Sequence, residues 1–149
     1  MDFQEALKEC CLSTRLKGET KDAIIEEMID MLDAAGRLPD REAALAAVHE
    51  REAKMSTGMQ FGVDIPHGKT DSVDSLVTAV ALKPDGVDFA ALDGEPSRIF
   101  VMTLSPISDS GPHIQYLSEI SKLLNQPVLR QSMLEATTEA DMLSILTGS

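Results

Sequence analysis

Basic residues and long apolar runs are both scarce in this chain of 149 residues. No stretch is apolar for long enough to cross a bilayer, so we expect a soluble protein without direct membrane insertion. Lys and Arg total 13 against 25 Asp and Glu, which gives a formal net charge of −12. Because such a chain repels phosphate backbones and lacks a basic patch, nucleic acid is not expected as a partner.

Cysteine is equally scarce, since Cys10 and Cys11 are the only two and are adjacent. A disulfide between neighbouring residues would be strained, and the C-x-x-C spacing typical of metal sites is missing. We therefore predict two reduced thiols carried on a helix, and no metal site is indicated.

The length and composition predict one domain that spans residues 1–149. A hydrophobic fraction of 43% and a charged fraction of 26% are ordinary for a globular protein. The acidic amino terminus lacks the basic region and the apolar core of a secretory signal. The expected location is therefore the cytoplasm.

Apolar residues at helical spacing predict helices in both the first and the last third of the chain. Thr20 is a candidate N-cap for a helix that ends before Gly36, and Asp40 for a second that runs to about Met55. Another predicted helix runs from Asp2 to about Cys11. Three more are predicted near the carboxyl terminus, beginning at Pro112, Pro127 and Thr138.

The middle of the chain changes to the alternation of a strand. Met59, Phe61, Val63 and Ile65 alternate with polar residues or Gly up to Pro66. Two near-continuous apolar runs, residues 76–82 and 98–104, are typical of interior strands, and residues 83–86 form a turn-rich connection. The order of helices, strands and helices predicts an α/β sandwich with a mixed central sheet flanked by helices.

Three histidines are candidates for chemistry, because an unperturbed pKa of about 6.5 lets imidazole act as a base, nucleophile or ligand. On their own, His49 and His113 are interpreted as surface or boundary residues of helices. His67 follows an apolar strand and Pro66, where the chain is expected to turn and leave backbone N–H groups near Gly68 for an anion. Spacing alone leaves both a phosphoryl site and a structural role open for His67.

At these residues the sequence resembles a known family. Residues 56–68, with the sequence STGMQFGVDIPHG, are similar to the active-site segment of EIIA type 2 components. These are the A components of the fructose, mannitol and nitrogen-regulatory class in the bacterial phosphoenolpyruvate-dependent sugar phosphotransferase system. Further matches are Arg51-Glu52, Val87-Asp88-Phe89, Leu92-Asp93-Gly94-Glu95-Pro96, Leu104-Ser105-Pro106 and His113-Ile114-Gln115-Tyr116-Leu117. The resemblance spans nearly the whole chain in the same order.

The resemblance implies a role for each matched residue. His67 corresponds to the phosphorylated histidine, His113 to a second histidine close to it in space, and Arg51 to an arginine that contacts the site. Without the resemblance, Arg51 would be interpreted as a solvated helix charge. The implied donor is a small carrier protein similar to HPr, and the implied acceptor is a cysteine of a B component (EIIB) or a regulated protein. Because a phosphoramidate is itself reactive, no cofactor or metal is required.

The sequence departs from the family pattern at two positions. Gln60 stands where the family prefers Gly, and Asp64 where it prefers Ala. If the face that carries Phe61, Val63 and Ile65 packs inward, Gln60 and Asp64 lie on the other face. We expect Asp64 in that case to border a docking surface and to select partners by charge.

Three classes of function remain open at this stage. The first is a catalytic carrier in sugar uptake. The second is a regulatory phosphoprotein that controls other proteins by its phosphorylation state. The third is a degenerate homologue that binds partners without phosphoryl transfer.

Overall fold

The computed structural model describes residues 3–54, 61–88, 93–108 and 111–148. Its helices are α1 (Phe3–Lys8), α2 (Lys21–Ala34), α3 (Arg41–Lys54), α4 (Gly111–Leu124), α5 (Pro127–Glu135) and α6 (Glu139–Thr147). Its strands are β1 (Cys11–Ser13), β2 (Val63–Asp64), β3 (His67–Lys69), β4 (Val77–Val87) and β5 (Ser97–Ser105). In these four ranges, no helix combines the length and the apolar character needed to cross a membrane.

The strands form one mixed sheet. In the described ranges its order is β1-β4-β5-β2, and β3 also pairs with β5. The central pair, β4 and β5, is antiparallel, whereas β1 is parallel to β4 and both β2 and β3 are parallel to β5. The prediction of a mixed sheet is confirmed.

Each face of the sheet buries its own apolar cluster under helices. One cluster combines the even-numbered residues Phe100, Met102 and Leu104 of β5 with residues of α2 and α3. The other combines Ile99 and Val101 of β5 with residues of α1, α4, α5 and α6. Because successive side chains of a strand point to opposite faces, an interior strand must be apolar on both, which explains the continuous run in β5. The α/β sandwich is therefore confirmed.

Helix boundaries follow the predicted caps. Thr20 accepts a hydrogen bond from the N–H of Ala23 at the start of α2, and Asp40 accepts one from Ala43 at the start of α3. Gly36, just past α2, has φ +74°, a conformation that glycine adopts without a steric penalty. The prediction for the end of α3 at Met55 lies outside the described residues.

The amino-terminal segment differs from its prediction. The helix ends at Lys8, and Cys11 begins β1 instead of extending the helix. Both cysteines are free, as predicted, but they are not carried on a helix. Cys10 packs against one apolar cluster and Cys11 against the other, so the two thiols point to opposite sides of the sheet. A strand of three residues is too short for its alternation to be recognised in a sequence.

The segment between the predicted strands also differs in part. Residues 83–86 belong to β4, although the pairing with β5 shifts register between Leu82 and Val87. Such an irregularity inserts extra residues without ending the strand. Residues 83–86 therefore have the sequence of a turn although they lie within a strand. Phe89 and Leu92, at the resemblance motifs that follow, lie outside the described residues.

The predicted strand before His67 is shorter than expected, and the chain does not turn at His67. Met59 and Gln60 lie outside the described residues, together with positions 55–58. Phe61 is 56% exposed, and the guanidinium of Arg130 lies over its ring. The strand β2 is interrupted by Pro66, and β3 then resumes pairing along β5. Proline removes only its own N–H, and its carbonyl still accepts from Thr103. Gly68 is paired with Leu104 in this ladder, so the predicted free turn at Gly68 is wrong.

Asp64 does point away from the face of Val63 and Ile65, as predicted, but it does not reach a surface. It is paired with Phe100 of β5 and is 0% exposed on the side that α2 and α3 cover. A side chain buried under a helical layer makes no contact with a docking partner. The expected role of Asp64 as a specificity element at the surface is therefore wrong.

Candidate functional site

Close packing of α3 on β3 forms one wall of the site. A Cβ atom built on Gly68 would lie 2.9 Å from the carbonyl carbon of Ala47 and 3.0 Å from the N atom of Val48. Only glycine lets the helix backbone approach the strand this closely. Arg51 lies one turn after Ala47 on α3, so the contact at Gly68 places Arg51 at the same end of the sheet as His67.

His67 is held by its own backbone segment. Its Nδ1 lies 2.8 Å from the carbonyl oxygen of Ile65. A carbonyl only accepts hydrogen bonds, so Nδ1 carries the proton and Nε2 of the neutral ring keeps its lone pair. The ring is half-buried, and Nε2 is the nitrogen available as a nucleophile.

His113 lies directly against His67. The ring centroids are 5.7 Å apart, and the ring planes are nearly perpendicular at 89°. His113 is 1% exposed in the first turn of α4, and its Nδ1 is hydrogen-bonded to Oγ of Ser105 at 2.5 Å. The amino terminus of α4 therefore lies beside His67, where its partial positive charge favours an anion.

A surface depression of about 360 Å³ opens beside His67. Among the described residues, the lining includes three basic side chains, one acidic side chain and one exposed apolar residue; the described lining is Ala47, Glu50, Arg51, Lys54, His67, Gly68, Lys69 and Ile107. Such a concentration of basic groups is notable in a chain whose net charge is −12. The depression is suited to an anion of modest size.

Both site histidines are neutral near pH 7. Burial lowers the pKa of His67, and the charges of Arg51 and Lys69 lower it further, while the hydrogen bond to Ile65 and the charge of Glu52 raise it. Burial lowers the pKa of His113 to about 4, with smaller contributions from His67 and Lys69. A neutral His67 retains the lone pair that nucleophilic attack requires.

The structure brings together the residues that the sequence singled out. His67 and Arg51 line one depression, and His113 contacts His67 from the adjoining helix. His49 is half-buried on α3, in agreement with its assignment to a surface or boundary position. Across the described ranges, no group of three or more His, Cys, Asp or Glu side chains is placed to hold a metal ion.

Two further site residues, Lys69 and Ser105, were not assigned a role from the sequence. Lys69 is two residues after His67 in β3, so both side chains lie on one face of the strand. The alternation that defines a strand would have found Lys69, had residues 67–69 been recognised as a strand. Ser105 contacts His113 only through the tertiary fold, since eight positions separate them in the sequence.

Comparison with known proteins places the chain in one group. The profile of the family described as "Phosphoenolpyruvate-dependent sugar phosphotransferase system, EIIA 2" matches residues 5–149. The chain is 39% identical over 127 residues to the fructose-specific EIIA component of Haloferax volcanii. The aligned region covers 85% of this chain and 82% of that protein. It is 35% identical over 146 residues, 98% of its length, to the fructose-specific EIIABC component of Bacillus subtilis, and spans only 23% of that longer protein.

A solved structure agrees with these relatives. The crystal structure of the nitrogen regulatory protein IIA-Ntr from Neisseria meningitidis is similar to this fold with a TM-score of 0.82 and 26% sequence identity. The match covers 97% of this chain and 98% of the other. The relatives thus include both sugar-specific and regulatory proteins.

Proposed function

The chain belongs to the EIIA type 2 family of the phosphoenolpyruvate-dependent sugar phosphotransferase system, and on that premise we propose that it is a phosphocarrier that accepts a phosphoryl group on His67. The donor is a phosphohistidine of an HPr-like carrier protein, and the acceptor is a cysteine of an EIIB component. Sugar uptake is the proposed process. Fructose is the first sugar to test, because the fructose-specific relatives from Haloferax volcanii and Bacillus subtilis are 39% and 35% identical to this chain.

The hydrogen bond from His67 Nδ1 to the carbonyl of Ile65 is the observation that carries this proposal. It fixes the tautomer and the orientation of the ring in the way that a nucleophilic imidazole requires. A structural histidine would have no need of a free Nε2 lone pair beside a basic depression.

In the first step, Nε2 of His67 attacks the phosphorus of the donor phosphohistidine. A new P–N bond forms to Nε2 as the P–N bond of the donor breaks, and the donor imidazole leaves with the electron pair. The positive charge that develops on the His67 ring is stabilised by the Ile65 carbonyl, which accepts from Nδ1–H. In the second step, a thiolate of the acceptor attacks the phosphorus. A P–S bond forms as the P–Nε2 bond breaks, and the electron pair returns to Nε2, so that His67 is again neutral.

Charge on the transferred group is balanced by the surrounding residues. Arg51 and Lys69 line the depression and act electrostatically on His67. The first turn of α4 adds the partial charge of the helix terminus. Positioning and electrostatic stabilisation supply most of the catalysis in phosphoryl transfer, so these groups suffice for the role without a cofactor.

Exposed apolar residues beside the site support transfer between proteins. Ile107 lines the depression and is 59% exposed, and Ile114, next to His113, is 63% exposed. Water-exposed isoleucines at the rim of a polar site favour contact with another protein surface.

Phosphorylation by a radiolabelled donor carrier tests the proposal. The chain is expected to take up acid-labile, base-stable phosphate, and His67→Ala is expected to take up none. His49→Ala is the matched control, because His49 lies on α3 outside the depression and its loss should leave uptake unchanged. Label retained by His67→Ala at the wild-type level would refute the assignment.

Regulation without onward transfer is the second candidate function. It is supported by the likeness to the nitrogen regulatory protein, which extends over 97% of this chain. Adding a reduced EIIB protein to the phosphorylated chain distinguishes the two candidates. Transfer of the labelled phosphate from the chain to EIIB supports transport. Labelled phosphate that stays on the chain, together with phosphorylation-dependent binding of another protein, supports regulation.

A degenerate homologue, the third class, is disfavoured by the retention of His67, His113 and Arg51 at one end of the sheet. Such a protein would take up no label from the donor carrier.

A further inference from the structure

Two buried hydroxyl residues stand at the site end of β5. On the face that α4 covers, β5 presents in turn Ser97, Ile99, Val101, Thr103 and Ser105. Thr103 is paired with His67, and Ser105 is paired with Lys69. Because paired residues of a sheet point to the same side, the hydroxyls lie beside the site residues under the first turn of α4.

The hydrogen bond between Ser105 and His113 is protected from water. Both residues are 1% exposed, and Oγ lies 2.5 Å from Nδ1. A buried hydrogen bond of this kind is not exchanged for one to solvent, so it restrains the ring of His113 strongly. On the other side of that ring, Nε2 is buried and makes no hydrogen bond to any residue in the described ranges.

The tautomer of His113 determines which of its two ring nitrogens donates a hydrogen bond and which accepts one. A neutral imidazole has one N–H and one lone pair, so whichever role Nδ1 takes toward Ser105 determines the role of Nε2. If Ser105 donates to Nδ1, then Nε2 carries the proton and is able to donate. If Ser105 accepts, then Nε2 is only an acceptor and would face an anion unfavourably.

We propose that Ser105 is a positioning residue, whose hydroxyl donates to His113 Nδ1 and thereby holds Nε2–H ready to donate to the phosphoryl group carried by His67. This inference rests on the proposed function, because it assumes that His67 is the phosphorylated residue. Ser105 itself touches neither the phosphoryl group nor His67 in this role. Its effect passes entirely through the orientation and tautomer of the His113 ring.

The tautomer is measured directly in the unphosphorylated full-length protein. Long-range ¹H–¹⁵N correlation spectra of the histidine-labelled chain at pH 7 separate Nδ1–H from Nε2–H rings, and His113→Gln assigns the signals. The wild-type protein is expected to show His113 as a single Nε2–H tautomer. A single Nδ1–H tautomer would overturn the proposal without any variant of Ser105.

Substitution of Ser105 then tests its effect on phosphorylation. Ser105→Ala is expected to give His113 a mixture of tautomers and to slow phosphorylation of His67 about tenfold, the loss expected for one buried hydrogen bond. Ser105→Thr keeps a hydroxyl and is expected to restore both readouts. An unchanged tautomer together with an unchanged rate in Ser105→Ala would overturn the proposal.

Two controls separate positioning from stability. Ser97→Ala makes the same substitution in the same strand and on the same face, about 26 Å from Ser105 along the strand. Tyr116→Phe removes another buried hydrogen bond under α4, the one between the hydroxyls of Tyr116 and Thr78. Both controls are expected to keep the wild-type tautomer and rate. A tenfold loss of rate in Tyr116→Phe as well would overturn the proposal, since loss of any buried bond beneath α4 would then explain the result.

The outcomes also separate this inference from the proposed function. A wild-type chain that takes up no phosphoryl group contradicts both. Normal phosphorylation of the wild type, with no effect of Ser105→Ala on tautomer or rate, contradicts the role of Ser105 alone.

Discussion

Gly68→Ala tests how the packing of α3 on β3 supports the site. The added Cβ would lie 2.9 Å from the carbonyl carbon of Ala47, 3.0 Å from its oxygen and 3.0 Å from the N atom of Val48. All three are backbone atoms, so no side-chain rotation relieves the contact. Carbon atoms pack at roughly 3.5–4.0 Å, so α3 and β3 must separate by roughly 0.5 Å.

The expected cost follows from that displacement. Overpacking of a close contact typically destabilises a protein by about 1–3 kcal/mol. For a chain of this length each kcal/mol lowers the melting temperature by about 2–4 °C, so we expect a decrease of about 2–12 °C. Arg51 moves with α3, and we expect phosphorylation of His67 to slow roughly tenfold, because transfer rates depend steeply on position.

Circular dichroism and the phosphorylation assay measure the two effects. The chain has no Trp and a single Tyr, so the far-ultraviolet signal is the suitable probe of unfolding. Gly111→Ala is the matched control for stability, because outside its chain neighbours and its own helix no atom lies within 4 Å of its added Cβ. The wild type is the reference for phosphorylation, since Gly111 begins the turn of α4 that lies beside His67. If Gly68→Ala melts at the same temperature as Gly111→Ala and is phosphorylated at the wild-type rate, then the close approach of α3 is not what positions Arg51.

Three further predictions concern charge. Because burial lowers the pKa of His113 from 6.5 to about 4, the unfolded chain alone takes up a proton below pH 6.5. The contribution of His113 to the free energy of unfolding is therefore constant above pH 6.5. It falls by about 1.4 kcal/mol for each pH unit from pH 6.5 toward pH 4. In urea unfolding, the free energy of unfolding of His113→Gln should fall less steeply between pH 6.5 and pH 4 than that of the wild type. Equal slopes for the two proteins would contradict the prediction. Lys69→Met should raise the pKa of both site histidines in an NMR titration, whereas exposed Lys122→Met should raise neither. Lys21→Met should destabilise the fold by about 1–3 kcal/mol, because Lys21 Nζ lies 2.8 Å from the buried carboxylate of Glu52; an unchanged urea midpoint would refute this.

Local sequence signals predicted most of the architecture. The caps at Thr20 and Asp40 act through hydrogen bonds to residues three positions away, so they are visible in the sequence itself. The apolar runs of β4 and β5 reflect burial on both faces of a central strand. The predicted runs, residues 76–82 and 98–104, are long enough to be recognised, although β4 continues beyond its predicted end to Val87.

Short strands and burial were decided by the tertiary structure. The strands β1 and β3 have three residues each, and what makes them strands is the ladder offered by β4 and β5. The alternation correctly separated Asp64 from Val63 and Ile65. It could not show that α2 and α3 cover the face to which Asp64 points, because a helical layer from elsewhere in the chain determines that burial.

The sequence by itself determined the fold class, the family resemblance and the candidates His67, His113 and Arg51. Those features depend on residue identity and on spacing along one segment. Only the tertiary structure decided that His113 lies 5.7 Å from His67, that Gly68 admits the backbone of α3, and that Ser105 and Lys69 join the site. These contacts join residues of β3, β5, α3 and α4. Their distances are fixed by how the two helical layers pack on the sheet, which the order of residues along the chain does not express.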